Sequence, residues 1–170
     1  MSTTSKVRRR VVETTTAEAF LALPRVAVVG ASADPKKFGN TVYRELRRRR
    51  DGRTIPVNPA TGLVDGDACY PTVADVPGGV DGAIVMAPPD AAAAAVRSCL
   101  DAGVGALWLF HGVGAGSDTT EAVALAEEAG VTLVAGACPL MFLDPVTGIH
   151  RFHRAVRRAR GAVTVAPDQR

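Results

Sequence analysis

The chain has 170 residues, of which 47% are hydrophobic and 22% are charged, and its formal net charge is +3. These values are typical of one soluble globular domain that buries about two-thirds of its unfolded surface. Three widely spaced cysteines, Cys69, Cys99 and Cys138, make neither a disulfide framework nor a C-x-x-C metal motif. No apolar run has the length of a membrane span and the N-terminus lacks a signal-peptide core, so we expect a cytoplasmic protein.

The N-terminal segment is expected to be peripheral. Residues 1–12 are polar and basic, and we expect them to be flexible. Thr15, with a glutamate three residues later, forms a capping box that predicts a short helix ending before Pro24. We predict the main domain over residues 13–145, followed by an arginine-rich C-terminal helix and tail at 146–170.

The stretch from residue 26 to residue 50 organises the prediction. Residues 26–29 are apolar and mostly β-branched, which predicts a strand buried on both faces. A loop of small residues follows at 30–39 and leads into a helix. Strand, loop and helix N-terminus form an arrangement that holds phosphate, because free N–H groups and the helix dipole favour an anion there. We interpret the loop as a nucleotide-phosphate site, the alternative being a turn that only closes an α/β unit.

The same loop argues against a nicotinamide dinucleotide. The dinucleotide fingerprint G-x-G-x-x-G should directly follow the strand, with an acidic residue about 20 positions later. Here Gly30 is followed by Ala31 and Ser32, and the second strand, residues 54–57, ends at Asn58 without a carboxylate. NAD is therefore disfavoured, although this pattern leaves it open.

Further apolar runs complete a predicted sheet. They lie at residues 82–86, 106–110 and 131–135, and they alternate with helical segments. This alternation predicts an α/β fold, a Rossmann-like three-layer sandwich with a five-stranded parallel sheet. Right-handed crossovers would gather the strand-to-helix loops at one edge, where such sheets bind ligands. These loops are residues 30–39, 58–60, 87–89, 110–116 and 136–140.

Turn and capping residues predict the middle connections. Residues 60–72 are rich in Gly, Asp and Pro and are expected to be loop, with one helical turn within 70–77. Pro88 and the next proline open an alanine-rich helix that ends near Gly103.

The C-terminal third is predicted in the same way. Asp118, with a glutamate three residues later, forms a capping box for a helix that stops at Gly130. A last helix is predicted from about residue 145 to 160, with His150 and His153 on its polar face. These histidines lack a third ligand and have arginine neighbours, so the sequence favours no metal site.

Several motifs resemble stand-alone CoA-binding domain proteins, which are in turn similar to the N-terminal CoA-binding domain of the succinyl-CoA synthetase α subunit. The resemblance covers roughly residues 20–145. The motifs are Val-Ala-Val-Val-Gly-Ala-Ser from Val26, Pro-Val-Asn-Pro from Pro56, Cys-Tyr-Pro-Thr-Val from Cys69, Ala-Pro-Pro from Ala87, and Ala-Leu-Trp-Leu followed by x-Gly-Val from Ala106.

The resemblance implies CoA or an acyl-CoA as ligand, and cationic groups near the phosphate loop agree with its several phosphates. Family members often have Gln or Glu where this chain has His111, and the segment from Gly148 lies outside the shared core. The implied ligand-binding residues are Gly30, Ala31, Ser32, Lys36, Lys37, Gly39, Asn58, Pro59, Ala87, Pro88, His111 and Gly112.

No catalytic residues are predicted. His111 could be a phosphate ligand or general base, but a histidine that only makes a hydrogen bond in the crevice is the favoured interpretation. Cys138 could meet the CoA thiol, although such cysteines are more often small buried apolar groups. A synthetase needs a phosphohistidine domain and a nucleotide-grasping partner, which 170 residues do not accommodate. We therefore expect a non-catalytic binding or regulatory module.

Three alternatives remain open at this point: an NAD(P)-dependent oxidoreductase, an acyl-CoA ligase component that needs a partner subunit, and a nucleic-acid-associated regulator. The last is disfavoured because the arginine clusters at 8–10, 47–50 and 151–160 lack interleaved aromatic residues or a recognised motif. The C-terminal helix could also form a homodimer contact or reach a CoA phosphate.

Overall fold

The computed structural model describes residues 14–110, 119–143 and 164–165. Within these ranges the α-helices are α1 (Thr14–Leu21), α2 (Phe38–Arg49), α3 (Pro89–Asp101) and α4 (Thr120–Glu128). The strands are β1 (Arg25–Val29), β2 (Arg53–Val57), β3 (Leu63–Val64), β4 (Asp67–Ala68), β5 (Gly82–Val85), β6 (Ala106–Leu109), β7 (Thr132–Ala135) and β8 (Thr164–Val165).

The main sheet has the strand order β2-β1-β5-β6-β7-β8. Its first five strands are parallel, which confirms the predicted five-stranded parallel sheet. The chain runs outward from β1 to β2 and then returns to the other side of β1 for β5. The switch point therefore lies between β1 and β5, where open α/β sheets bind their ligands.

Two strand pairings were not predicted. β8 joins the edge of the sheet antiparallel to β7, with Val165 opposite Val134. β3 and β4 form a small antiparallel hairpin within residues 60–72, which the sequence predicted to be loop. Each of these strands has two residues, which is too short to show an alternating apolar pattern.

The core has two parts because the sheet is apolar on both faces. On one face α1, α2 and residues 137–143 pack against Val28, Ile84 and Trp108. On the other face α3 and α4 pack against the side chains that alternate with these, such as Leu107. Helices on both faces confirm the three-layer sandwich.

Two predicted helix starts are wrong. Thr15 lies inside α1, which already includes Thr14, so Thr15 is not its N-cap. The N-cap of α4 is Thr119 rather than Asp118, and the Thr119 side chain accepts a hydrogen bond from the N–H of Ala122 at 3.2 Å. Neighbouring Ser, Thr and Asp residues are almost equally good N-caps, so the sequence did not separate them.

Other predictions of local structure are confirmed. A short 3-10 helix occupies Val73–Asp75, inside the predicted turn, and α3 ends two residues before Gly103. The predicted last helix and Asp118 lie outside the described residues. Across the described ranges, every helix is too short or too polar to cross a membrane.

Candidate functional site

The candidate site lies at the carboxyl edge of the sheet, around the switch point between β1 and β5. Gly30 begins the loop after β1 with φ +94°, a conformation that favours glycine. Its N–H donates to the carbonyl of Val57 at 2.9 Å, and a Cβ here would lie 2.8 Å from the carbonyl oxygen of Met86. The loop therefore starts wedged between the ends of β2 and β5, where only glycine fits.

Gly39 brings the first turn of α2 against this loop. A Cβ on Gly39 would overlap the carbonyl oxygen of Gly30 and would lie 3.6 Å from the backbone nitrogen of Ser32. The sequence placed Gly39 in the loop, whereas the structure places it as the second residue of the helix. Its role is close backbone packing, which keeps the helix N-terminus beside the loop.

The tip of the loop is folded by its own polar groups. The hydroxyl of Ser32 accepts from the N–H of Asp34 at 3.1 Å, and the Asp34 carboxylate accepts from the N–H of Lys36 at 2.9 Å. Lys37 is the N-cap of α2 and makes no side-chain cap hydrogen bond. Both lysines are exposed, so they can move toward an anion at the uncapped helix end.

Asn58, at the end of β2, fixes the middle of the loop. Its side-chain Nδ2 donates to the carbonyl of Ala31 at 2.7 Å, and its Oδ1 accepts from the N–H of Ala60 at 2.8 Å. Its backbone N–H donates to Tyr70 at 2.9 Å. The predicted site residue Asn58 thus lies beside the loop after β1, and its amide is hydrogen-bonded within the protein. Pro59, the next residue, is exposed.

Asn40 is a site residue that the sequence analysis missed. It is fully buried in the first turns of α2, and its Nδ2 donates to the carbonyl of Ser32 at 2.9 Å and to the carboxylate of Asp65 at 3.1 Å. The Oδ1 of Asn40 has no hydrogen-bond partner in the described structure. A lone asparagine within a helical pattern carries little signal, and its three-residue spacing from Tyr43 places it only at the edge of the buried face of α2.

The β3–β4 hairpin is fastened to α2 next to Asn40. The hydroxyl of Tyr43 donates to the carboxylate of Asp67, and the guanidinium of Arg47 pairs with the same carboxylate at 2.8 Å. Burial, together with the Asp67 hydrogen bond, raises the pKa of Tyr43 above its ordinary value. Asp65, which accepts from Asn40, has φ 49° and so occupies the left-handed region at the hairpin turn.

The far side of the crevice comes from β5 and β6. Ala87 is buried, and Pro88 is exposed as the N-cap of α3. The rings of Phe38 and Phe110 meet edge to face, with centroids 5.8 Å apart, so an aromatic contact links the start of α2 to the end of β6. Phe38 is 38% exposed, which leaves part of its ring available to a ligand.

The predicted site residues divide into three groups. The loop residues and Asn58 lie together, and Ala87 with Pro88 follows the strand beside them. His111 and Gly112 lie outside the described residues, as do His150 and His153. Cys138 is buried after β7. In the described ranges no cluster of three or more His, Cys, Asp or Glu residues could hold a metal ion.

The strand order and this site define a Rossmann-like α/β domain in which a loop that begins with a glycine lies at the switch point. Comparison with known proteins then gives the family. The chain belongs to the CoA binding domain family, whose model matches residues 24–144.

The relatives of the chain include ligase subunits and small proteins. It is 38% identical over 79 residues to the α subunit of ADP-forming acetate–CoA ligase II from Pyrococcus furiosus, covering 46% of this chain and 17% of that subunit. A hypothetical protein from Pyrococcus horikoshii superposes with a TM-score of 0.70 at 26% identity, covering 81% of this chain and 94% of that one.

A third relative is the dinucleotide forming acetyl-coenzyme A synthetase 1 of Ca. Korarchaeum cryptofilum, solved with phosphate and ADP. It superposes with a TM-score of 0.61 at 31% identity, covering 72% of this chain and 27% of the synthetase. The chain thus spans about a sixth of the length of the P. furiosus ligase subunit and about a quarter of the synthetase chain.

Proposed function

We propose that this protein is a CoA-binding module that takes CoA or an acyl-CoA at the switch point and catalyses no reaction on its own. The observation that carries the proposal is the packing of Gly39 against Gly30, which brings a helix N-terminus without a side-chain cap onto the loop after β1. The family membership supports CoA as the source of that anion.

The distribution of polar groups favours binding over chemistry. The amides of Asn40 and Asn58 hold backbone carbonyls, and the Asp34 carboxylate holds the N–H of Lys36. These side chains shape the loop, while Lys36 and Lys37 supply positive charge. Such a set can hold the phosphates of CoA.

Thermal unfolding with CoA, acetyl-CoA, NAD and NADP, each added separately, tests the proposal. A ligand at 100 times its Kd should stabilise the protein by about 2.7 kcal/mol, which is on the order of 5–10 °C for a chain of this size. We expect this shift with the CoA species only. A shift with NAD or NADP alone would instead support an oxidoreductase.

Matched charge variants sharpen this test. Lys36→Gln combined with Lys37→Gln should weaken CoA binding, because both lysines flank the uncapped helix end. Arg44→Gln combined with Arg48→Gln removes the same amount of positive charge from exposed positions farther along the same helix and should leave the affinity unchanged. Equal effects of the two variants would argue for a diffuse electrostatic attraction in place of a phosphate site.

A second function is favoured by the likeness to the P. furiosus ligase α subunit: a component of an acyl-CoA ligase completed by another chain. Incubation with acetate, ATP and CoA should then give acetyl-CoA only when chains that supply the phosphohistidine domain and the nucleotide-grasping subunit are added. Turnover by the chain alone would contradict the non-catalytic proposal.

We further propose that the protein is cytoplasmic and forms a homodimer. Sedimentation equilibrium of the purified protein tests the dimer.

A further inference from the structure

Two asparagines from different parts of the chain donate hydrogen bonds to consecutive peptide units of the loop at residues 30–39, which we call the phosphate loop. Asn58 donates to the carbonyl of Ala31 at 2.7 Å, and Asn40 donates to the carbonyl of Ser32 at 2.9 Å. In a planar trans peptide the C=O and the N–H point in opposite directions. Each asparagine that draws a carbonyl inward therefore turns the following N–H, of Ser32 or of Ala33, away from itself.

The N–H groups of Ser32 and Ala33 donate to no backbone carbonyl within the described ranges. The nitrogen of Ser32 also lies close to Gly39, so it sits beside the first turn of α2. Two outward N–H groups beside a helix N-terminus form a concave set of donors suited to phosphate oxygens.

We propose that Asn40 and Asn58 are positioning residues that orient the N–H groups of Ser32 and Ala33 toward the phosphates of the ligand. This inference rests on the proposed function for the identity of that ligand. Asn58 links the loop to the end of β2, because it directly follows that strand. Asn40 links the loop to the β3–β4 hairpin, because the same Nδ2 also donates to Asp65.

The hairpin thereby becomes part of the phosphate site without touching the ligand. Tyr43 and Arg47 hold Asp67 at one end of the hairpin, which fixes the position of Asp65 against Asn40. Asn40 is 0% exposed, so its amide cannot exchange this contact for water. The burial and the two acceptors together lock the amide in the orientation that grips Ser32.

Amide NMR of the full 170-residue chain tests the proposal directly. Titration with CoA, and separately with inorganic pyrophosphate, should move the N–H signals of Ser32 and Ala33 most. If the wild-type protein binds CoA while these two signals stay fixed, the inference is wrong and the proposed function stands. If pyrophosphate moves them and CoA does not bind, the proposed function is wrong and the orientation of the donors stands. Fixed signals with both probes overturn the inference.

Substitutions provide the second arm. Asn58→Ala and Asn40→Ala should each weaken CoA binding about tenfold, with smaller movements of the Ser32 and Ala33 signals. A merely structural role would lower the melting temperature and leave the Kd of the folded protein, measured well below that temperature, unchanged.

A charge swap separates the hairpin contact from the loop contact. Asn40→Asp with Asp65→Asn re-forms the side-chain pair, and asparagine tolerates the left-handed backbone at position 65. The swap removes the donor to Ser32 and moves the carboxylate from position 65 to position 40. Its CoA affinity is therefore compared with that of Asn40→Ala, which loses the same donor without gaining a charge. We expect it to recover thermal stability relative to Asn40→Asp alone without recovering CoA affinity, whereas Asp65→Asn alone should bind as the wild type does. Recovery of affinity by the swap would overturn the positioning role.

Discussion

Replacement of Gly39 by alanine is the sharpest perturbation of the site, because one methyl group meets a rigid neighbour. The added Cβ would overlap the carbonyl oxygen of Gly30, whereas its distance to the nitrogen of Ser32 would be an ordinary contact. Since the Gly30 oxygen is a backbone atom, the helix and the loop must separate. Overpacking of this kind costs about 1–3 kcal/mol, and the better helix propensity of alanine returns up to about 1 kcal/mol.

Because the overlap is with a rigid backbone atom, we expect a cost in the upper part of that range, about 2–3 kcal/mol. The net loss for Gly39→Ala is then roughly 1–3 kcal/mol, which lowers the melting temperature by about 2–12 °C. The affinity for CoA should fall as well, by about tenfold or more, because the first turn of α2 moves away from the phosphate loop. Differential scanning calorimetry gives the first quantity, and isothermal titration of CoA gives the second.

Gly62→Ala is the matched control for the same change. Gly62 has no heavy atom within 4 Å of a built Cβ and no positive φ, and it lies in the segment after Asn58. Its substitution should leave both quantities within error of the wild type. If Gly39→Ala behaves like Gly62→Ala, the close packing of α2 on the loop is not what holds the ligand, and the proposed site is wrong.

Three further predictions concern the rest of the domain. Trp108→Ala should cost about 3–5 kcal/mol in calorimetry, because Trp108 is fully buried against the ring of Phe20. Burial raises the pKa of Cys99 to about 12, so the thiol ionises in the unfolded chain at a lower pH than in the folded chain. The contribution of Cys99 to the free energy of unfolding should be fully present below pH 9 and fall as the pH rises toward 12, by at most about 1.4 kcal/mol per pH unit. Urea titrations should show a smaller pH dependence for Cys99→Ala. Arg97→Ala breaks an exposed ion pair with Glu121 and should change the unfolding free energy by less than about 1 kcal/mol.

The fold was predictable because its signals are periodic and local. Five apolar runs, each about as long as a strand, alternate with helical segments, and Gly or Pro residues separate them. Such a pattern is typical of a parallel sheet that is buried on both faces by helices. The β3–β4 hairpin and β8 were not predicted, because a two-residue strand is defined by its pairing partner and has no recognisable local sequence pattern.

The sequence predicted at which edge of the sheet the candidate site lies, but it did not predict all the contacts that hold the loop of this site. The loop after β1 was identified from Gly30 and its following small residues, and Asn58 from a resemblance. Asn40 could not be identified, because its importance comes from Ser32 and Asp65, which lie 8 residues before it and 25 residues after it. Only the folded chain brings these acceptors to one amide.

The loop also explains how a phosphate site can do without the dinucleotide fingerprint. In that fingerprint the first glycine makes the turn, the second allows the pyrophosphate to approach the backbone, and the third allows the helix to pack on the strand. Here Gly30 makes the turn and Gly39 provides the packing, although they stand nine residues apart. In our proposal the role of the second glycine is taken by the peptide units whose carbonyls accept from Asn40 and Asn58. These side chains orient the N–H donors, whereas in the fingerprint the glycine backbone alone provides the approach. A longer loop with lysines at its tip then suits a ligand with more phosphates than NAD carries.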